Sequence, residues 1–215
     1  MKKLTVLFLS ALMLVSLAAC TGGSTNPTET SSENPTSQPN SVQTTDESND
    51  ASGTQSQKIL IAYFSKTGNT QTVANMIAQE TGGTLFKVET VTPYPEDYDQ
   101  TVDIAREEQD SNARPALSTH VENMAEYDII FLGYPNWWGT MPQAMFTFLE
   151  EYDLSGKTII PFCTHGGSAL GRSEGDIAEL CPDSTLLDGL AISGSRAAAA
   201  SDEVKEWVDG LNIAK

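Results

Sequence analysis

Six consecutive residues follow the apolar run 58–64 and precede a helical pattern. They are Ser65, Lys66, Thr67, Gly68, Asn69 and Thr70. A helix that begins directly after such a loop offers unpaired N–H groups and the positive end of its dipole, and both favour a phosphate. Gly68 allows the backbone to turn close to a ligand. Because Lys66 is the only cation in the loop and no Gly-Lys-Ser/Thr ending is present, the loop predicts a phosphomonoester site, not a triphosphate site.

A second group of residues that could bind a ligand follows the apolar run 127–134. It consists of Pro135, Asn136, Trp137, Trp138 and Gly139. A turn rich in Pro, Asn and Gly cannot bury two adjacent indoles, so we expect at least one tryptophan to contact a flat aromatic ligand. Core packing is the alternative for each indole, and the sequence does not say which one binds.

A third turn follows the apolar run 157–164 and contains Thr164, His165, Gly166 and Gly167. The two glycines allow the backbone to approach the edge of a ring and to present N–H and C=O groups to it. His165 either donates to a ligand oxygen or caps the turn. We predict no metal site, because His120 is the only other histidine and no cluster of ligands surrounds either one.

The elements that must position these loops alternate along the chain. Apolar runs predict five strands, at residues 58–64, 84–89, 127–134, 157–164 and 185–192. Helical periodicity predicts five helices, at residues 70–80, 97–110, 141–152, 173–180 and 201–211. This alternation is typical of an α/β fold with a doubly wound, five-stranded parallel sheet. Such sheets bind ligands beyond the carboxyl ends of their strands, where the three loops would meet.

A ligand that suits all three loops has one phosphomonoester and a flat heteroaromatic ring, as FMN does. The motif Ser65-x-Thr67-Gly68-Asn69-Thr70 resembles the phosphate loop of the flavodoxin family, and the other two loops resemble those that flank its flavin ring. The resemblance covers residues 58–212 and implies strand order 2-1-3-4-5 and non-covalent FMN. A His-Gly-Gly-Ser turn stands where flavodoxins often place a tyrosine that stacks on the flavin ring. The tryptophan pair is more similar to that of exported, flavodoxin-like lipoproteins than to the soluble carriers.

The N-terminal residues predict export and lipid attachment. Residues 1–19 combine a basic start with an apolar stretch that is too short for a comfortable transmembrane helix. The ending Leu17-Ala18-Ala19-Cys20 resembles a bacterial lipobox and implies lipidation of Cys20; an ordinary secretory signal is the alternative. Residues 20–57, rich in Ser, Thr, Asn and Pro, predict a disordered tether, and residues 58–215 a globular domain. We therefore expect a domain anchored to a bacterial cell membrane outside the cytoplasm.

The charge and the cysteines limit the partners and the chemistry. The chain has 12 basic and 29 acidic residues and a net charge of −17, which disfavours nucleic acid. The acidic surface favours either a redox partner protein with a basic docking face or plain solubility, and we expect a monomer. Cys163 and Cys181 fall at opposite ends of the sheet, too far apart for a disulfide, so both are predicted to be buried thiols.

Other residues near the predicted site have less specific signals. Residues 93–98 form either a lid or substrate contact, or a turn with a helix cap at Asp97, which we favour. Arg106 and Arg114 are expected to make solvated ion pairs with acidic neighbours at positions 107, 108 and 110. Arg196, after the fifth predicted strand, is a candidate contact for FMN or a substrate.

No catalytic side chain is predicted, because the histidines have no evident nucleophile partner and a flavin would carry the redox chemistry. The leading hypothesis is a membrane-anchored, FMN-binding electron carrier that serves a protein partner. One alternative is an NAD(P)H-dependent FMN quinone oxidoreductase, although the chain has no dinucleotide fingerprint. The other is a flavin-free binding module.

Overall fold

A computed structural model describes residues 57–213 of the chain. The strands in this range are β1 (Ile59–Tyr63), β2 (Thr84–Lys87), β3 (Ile129–Pro135), β4 (Thr158–His165), β5 (Thr185–Leu186) and β6 (Leu190–Ser193). They form one parallel sheet in the order β2-β1-β3-β4, and both β5 and β6 pair with β4. The predicted α/β fold and the strand order 2-1-3-4-5 are confirmed.

Helices connect the strands in the described range, except that β6 follows β5 directly. They are α1 (Asn69–Thr81), α2 (Tyr98–Asp110), α3 (Gln143–Glu150), α4 (Ser173–Leu180) and α5 (Ser201–Gly210), with short 3₁₀ helices at Met124–Glu126 and Gly194–Ala199. Each α-helix begins and ends within two residues of its predicted bounds. The helix α3 begins later than predicted because Pro142 stays extended, with a ψ of 149°.

The sheet separates two hydrophobic cores. The helices α1 and α5 cover one face, while α3 and α4 cover the other, where α2 packs through Ile104. Neighbouring residues of the central strands alternate between the faces: Ile61 and Phe131 belong to the first core, and Leu60 and Leu132 to the second. Because the central strands are buried on both faces, their sequences are continuous apolar runs.

The predicted fifth strand, 185–192, is divided into β5 and β6. Leu187 N donates to Ile159 O at 3.0 Å, but Pro161, two residues further along β4, has no N–H to continue the ladder. A Cβ on Gly189 would lie 2.9 Å from Pro161 Cγ, so the backbone approaches the proline ring closely at this point. The pairing resumes where Phe162 meets Leu190.

Cys163 and Cys181 are both buried and free, as predicted. Burial raises the pKa of the Cys163 thiol to about 12 and that of the Cys181 thiol to about 11. Both thiols are therefore protonated at neutral pH and are poor nucleophiles.

Several predictions concern residues outside the described range. The predicted signal segment 1–19, the predicted lipidation of Cys20 and nearly all of the predicted tether 20–57 lie there and stay predictions. Within residues 57–213, none of the helices has the length and apolar character that a membrane crossing requires.

Candidate functional site

The loop 65–70 joins β1 to α1 through a glycine in the left-handed region. Gly68 has a φ of 89° and stands at the N-cap of α1, with no atom within 4 Å of the place where a Cβ would lie. Its carbonyl accepts from Thr72 N at 2.9 Å, and Ser65 Oγ accepts from Gln71 N at 3.2 Å. The turn therefore requires glycine for its backbone conformation, and the space beside it is open.

The start of α1 presents hydrogen-bond donors toward this space. Helix geometry gives the amides of Asn69 and Thr70 no acceptor within the helix, and Gly68 has no side chain to cap them. Thr67 adds a hydroxyl, and Lys66 adds an ammonium group that lies 3.7 Å from a Glu96 carboxylate oxygen. Together with the positive end of the helix dipole, these donors suit an anion with several acceptor oxygens.

A buried pair of hydroxyl groups connects this loop to the turn after β4. The Oγ1 atoms of Thr70 and Thr164 lie 2.9 Å apart, and both side chains are buried. The carbonyl of Thr164 in turn accepts from Asn136 N at 2.8 Å. The structure thus brings the carboxyl ends of β1, β3 and β4 together, and with them all three predicted loops.

His165 caps the turn to which it belongs. Gly167 N donates to His165 Nδ1 at 2.9 Å, so Nδ1 carries no proton and the neutral ring has its proton on Nε2. Of the two roles predicted for His165, turn capping is present in the structure. Donation from Nε2 to a ligand stays a prediction.

The first tryptophan of the second loop is a half-buried part of the core. The ring of Trp137 meets Phe64 at a centroid distance of 5.5 Å and Tyr94 at 5.1 Å, with interplanar angles of 80° and 82°. These two edge-to-face contacts hold the plane of the indole.

The second tryptophan is fixed by contacts with α2. Trp138 is 48% exposed and adopts a φ of 52°, which is uncommon for a bulky residue. Its Nε1 donates to Val102 O at 3.2 Å, and the Arg106 guanidinium lies 5.0 Å from the centre of its ring. The two indoles therefore have different environments, which the sequence alone does not reveal.

Asn136 connects the second loop to the segment that follows the third loop. Its Oδ1 accepts from Gly139 N at 3.0 Å, and its Nδ2 donates to Ala169 O at 2.8 Å. A Cβ on Gly171 would lie 2.2 Å from Gly139 O, so this segment packs its backbone against that of the second loop. We infer that Asn136 acts mainly by shaping the loops.

A cleft of about 500 Å³ lies between the phosphate loop, the tryptophan loop and α2. The two loops contribute Lys66, Thr67, Pro135, Asn136, Trp137 and Trp138. The α2 side contributes Glu96, Tyr98, Thr101, Val102 and Ala105. Several residues predicted to bind the cofactor adjoin this cleft without lining it. They are Ser65, Gly68, Asn69, Thr70, Gly139 and the turn 164–167.

Most of the α2 wall is not predictable from the motifs in the sequence. The predicted helix cap is present, because Asp97 Oδ1 accepts from Gln100 N at 2.9 Å. Glu96 and Tyr98 line the cleft, and a role of residues 93–98 as a lid or substrate contact stays a prediction. The remaining wall residues, Thr101, Val102 and Ala105, follow Tyr98 at the i+3, i+4 and i+7 positions of one helix face. That periodicity indicates that these residues share one face of α2, but it does not indicate whether the face packs against the core or lines a cleft.

The arginines near the site are held in ion pairs. Arg106 pairs with Asp110 as expected, at 3.1 Å. Arg114 also makes a partly exposed ion pair, but its partner is Glu150 of α3 and not residue 107, 108 or 110. Its guanidinium donates two hydrogen bonds to the Glu150 carboxylate, at 2.7 and 2.8 Å. Arg196 pairs with Glu203 at 2.7 Å. Within the described residues, no group of three or more His, Cys, Asp or Glu side chains is arranged to hold a metal ion.

Comparison with known proteins places this architecture among flavoproteins. Residues 58–211 match the family model for flavodoxin. A protein of Bacteroides eggerthii described as a flavoprotein is 32% identical over 73% of this chain and 98% of its own, with a TM-score of 0.65. One from Bacteroides uniformis is also 32% identical, over 72% of this chain and 99% of its own, with a TM-score of 0.63.

A third solved structure shows the same fold at lower identity. It is a flavoprotein of Lactobacillus acidophilus in complex with FMN, 24% identical over 66% of this chain and 97% of its own, with a TM-score of 0.56. The family match spans every strand and helix described above. The chain belongs to the flavodoxin family.

Proposed function

We propose that the chain binds one FMN non-covalently and acts as an electron carrier for a protein partner. The observation that carries this proposal is the cleft that joins the phosphate loop to a wall of aromatic and aliphatic side chains. Family membership supports the cofactor, as does the FMN complex of the Lactobacillus acidophilus flavoprotein, which has the same fold.

The phosphate loop fits a phosphomonoester in the chemistry of its donors. The α1 amides, the Thr67 hydroxyl and the Lys66 ammonium would hold the phosphate oxygens, with Ser65 fixing the turn through Gln71 N. A single cation that is already near Glu96 suits one phosphate better than a chain of phosphates with a metal ion.

The cleft fits a flat ring in size and lining. Its volume of about 500 Å³ falls within the range of about 300–1,000 Å³ that is usual for small-molecule sites. Pro135, Trp137, Val102 and Ala105 supply apolar surface that orients a ring and excludes water. Bound FMN would supply reversible one- and two-electron chemistry, which this set of side chains does not have.

The charges around the cleft favour a protein partner over NAD(P)H. Glu96 lines the cleft, and Asp99 and Asp103 are exposed on α2 beside Tyr98 and Val102. The neighbouring cation Arg106 is engaged by Asp110. A pyrophosphate-bearing donor would meet these carboxylates at close range, whereas a basic protein face would be attracted.

Anchoring at the membrane is the part of the proposal that rests on the sequence. We propose that Cys20 carries the lipid and that residues 20–57 tether the domain outside the cytoplasm. Metabolic labelling with a palmitate analogue tests this directly, and Cys20→Ala should abolish both the label and membrane fractionation. A labelled Cys20→Ala variant would contradict it.

The cofactor proposal is tested by reconstitution with FMN. Wild-type protein should bind FMN and quench its fluorescence, and Thr67→Ala should weaken binding about tenfold or more, as expected when one hydrogen bond to a charged phosphate is lost. Thr185→Ala, at the opposite end of the sheet, is the matched control. A colourless protein that fails to bind added FMN would favour the flavin-free binding module.

Steady-state oxidation of NADPH with a quinone acceptor separates the carrier from the oxidoreductase. A carrier should show negligible turnover alone and rapid exchange of electrons with a chemically reduced partner protein. Fast NADPH turnover without any partner would count against the carrier.

A further inference from the structure

The plane of Trp137 depends on Tyr94. Tyr94 is buried and meets the Trp137 ring edge-to-face, and its own ring also contacts Phe64 at 5.6 Å with an interplanar angle of 81°. Three aromatic rings therefore pack against one another at nearly right angles, and of the three only Trp137 lines the cleft. Because such contacts have a preferred geometry, a tilt of the Tyr94 ring would tilt Trp137 as well.

The ring of Tyr94 is itself held at its hydroxyl end. The Tyr94 hydroxyl donates to Glu108 Oε2 at 2.7 Å. Glu108 of α2 lines a second cavity, of about 210 Å³, together with Tyr94. Most of its other lining residues are apolar: Val91, Pro93, Pro95, Ile104, Pro115 and Ala116. A hydrogen bond to a carboxylate in such apolar surroundings is strong and costly to leave unmade.

We propose that Tyr94 and Glu108 are a positioning pair that sets the plane of the Trp137 indole as the wall of the cleft. The relevance of this wall to a flavin rests on the proposed function, but its geometry does not. Neither residue lines the cleft beside Trp137, so the pair acts through the indole, not by contact with the ligand.

Trp138 provides an internal contrast, because it does not share this support. Its indole is fixed by Val102 O and by the Arg106 guanidinium, on a different face of α2 from Glu108. Loss of the Tyr94–Glu108 bond should therefore change the environment of Trp137 and leave that of Trp138 unchanged. A general loosening of α2 would change both.

The first test follows Trp137 alone, without any cofactor. The chain has three tryptophans, so Trp138→Phe combined with Trp207→Phe makes Trp137 the single indole. In that background Glu108→Leu and Tyr94→Phe should shift Trp137 emission to longer wavelength and roughly double its quenching by acrylamide, as a half-buried indole becomes exposed. Glu108→Gln keeps an acceptor oxygen and should restore the parental emission.

Glu107→Leu is the matched control, because Glu107 is exposed on the same helix. It should leave Trp137 emission unchanged. A second reporter with Trp137→Phe and Trp207→Phe makes Trp138 the single indole, and Glu108→Leu should leave its emission unchanged. Unaltered Trp137 emission in both Glu108→Leu and Tyr94→Phe would overturn the proposal. If Glu108→Leu fails to fold, Tyr94→Phe decides, since it keeps the aromatic ring.

The second test measures FMN affinity with all tryptophans present. Glu108→Leu and Tyr94→Phe should each weaken FMN binding about tenfold, a loss of about 1.4 kcal/mol, while Glu108→Gln and Glu107→Leu stay near the wild-type value. Failure of the wild-type protein to bind FMN would reject the proposed function, and the Trp137 emission would still decide on the positioning pair. Altered Trp137 emission with unchanged FMN affinity would overturn its role as the cleft wall.

Discussion

The hydroxyl oxygens of Thr70 and Thr164 lie 2.9 Å apart in the interior of the protein. Thr70 belongs to the first turn of α1, and Thr164 stands near the end of β4 beside the turn that His165 caps. One buried hydrogen bond therefore links the phosphate loop to a loop that follows it by more than ninety positions in the chain. A change at Thr164 should reach the phosphate loop although Thr164 does not line the cleft.

Replacement of Thr164 by Val tests this link. Val has nearly the same shape but leaves the Thr70 hydroxyl without its partner, so the free energy of unfolding should fall by about 1–2 kcal/mol. FMN affinity should fall as well, by about threefold to tenfold, because the first turn of α1 loses its anchor. Urea unfolding and FMN titration measure the two effects. Thr185→Val is the control, and an unchanged FMN affinity in Thr164→Val would show that the loops are independent.

The fold was predictable because its central strands are buried on both faces. The apolar runs of β1, β3 and β4 and the helical periodicity between them depend on local sequence alone. The break between β5 and β6 was not predictable in this way, since it arises from Pro161 in the neighbouring strand. How a strand is aligned with its neighbouring strand depends on both segments, so the sequence of one segment alone does not predict it.

The residues of the three loops could be predicted as part of the site, whereas those of the α2 wall could not. Hydroxyl, glycine and tryptophan residues at the ends of strands identify the loops by their chemistry. The α2 wall consists of Val102, Ala105 and similar residues, whose types are equally common in a core. The environments of the Trp137 and Trp138 indoles differ because Trp138 has a positive φ and contacts α2. Neither feature can be recognised in the sequence.

Replacement of Trp137 should reduce the free energy of unfolding more than replacement of Trp138. Trp137→Ala leaves a cavity beside Phe64 and Tyr94, so the free energy of unfolding should fall by about 2 kcal/mol or more. Trp138→Ala removes an indole that is about half exposed and should change stability by about 1 kcal/mol at most. Thermal and urea unfolding of the two variants provide the comparison. Equal losses would mean that Trp138 is as much a part of the core as Trp137.

Gly68 should be sensitive to substitution for a backbone reason alone. A Cβ at Gly68 would meet no atom within 4 Å, but a φ of 89° is unfavourable for alanine, so Gly68→Ala should cost about 1–2 kcal/mol. Gly175 in α4 has equal space and helical backbone, so Gly175→Ala should instead stabilise the protein by about 0.5–1 kcal/mol. Urea unfolding of both variants checks the opposite signs, and a neutral Gly68→Ala would indicate that the loop relaxes.

Glu108 should make the protein less stable as the pH rises. Burial raises the pKa of its carboxyl above the ordinary value of 4.5, although the Tyr94 hydroxyl acts in the opposite direction. The folded state therefore binds this proton more tightly than the unfolded chain does. The resulting stabilisation is present below the unfolded pKa and is lost as the pH rises through the folded pKa. Glu108→Gln has no carboxyl at this position and should not show that loss. The measurement is the unfolding free energy of wild type and of Glu108→Gln at about pH 4 and about pH 7, and the difference between the two proteins should change with pH.

Glu150 should show the opposite slope and so provides the contrast. Its hydrogen bonds with Arg114 hold the pKa of the Glu150 carboxyl below the ordinary value. The folded state therefore binds this proton less tightly, and the stabilisation is present above the unfolded pKa and lost as the pH falls through the folded pKa. Glu150→Gln should consequently destabilise the protein at pH 7 and approach the wild-type stability in acid. Burial raises the pKa of a carboxyl, whereas pairing with an arginine lowers it. If the unfolding free energies of Glu108→Gln and Glu150→Gln changed with pH in the same direction relative to wild type, one of the two carboxyl environments would differ in solution.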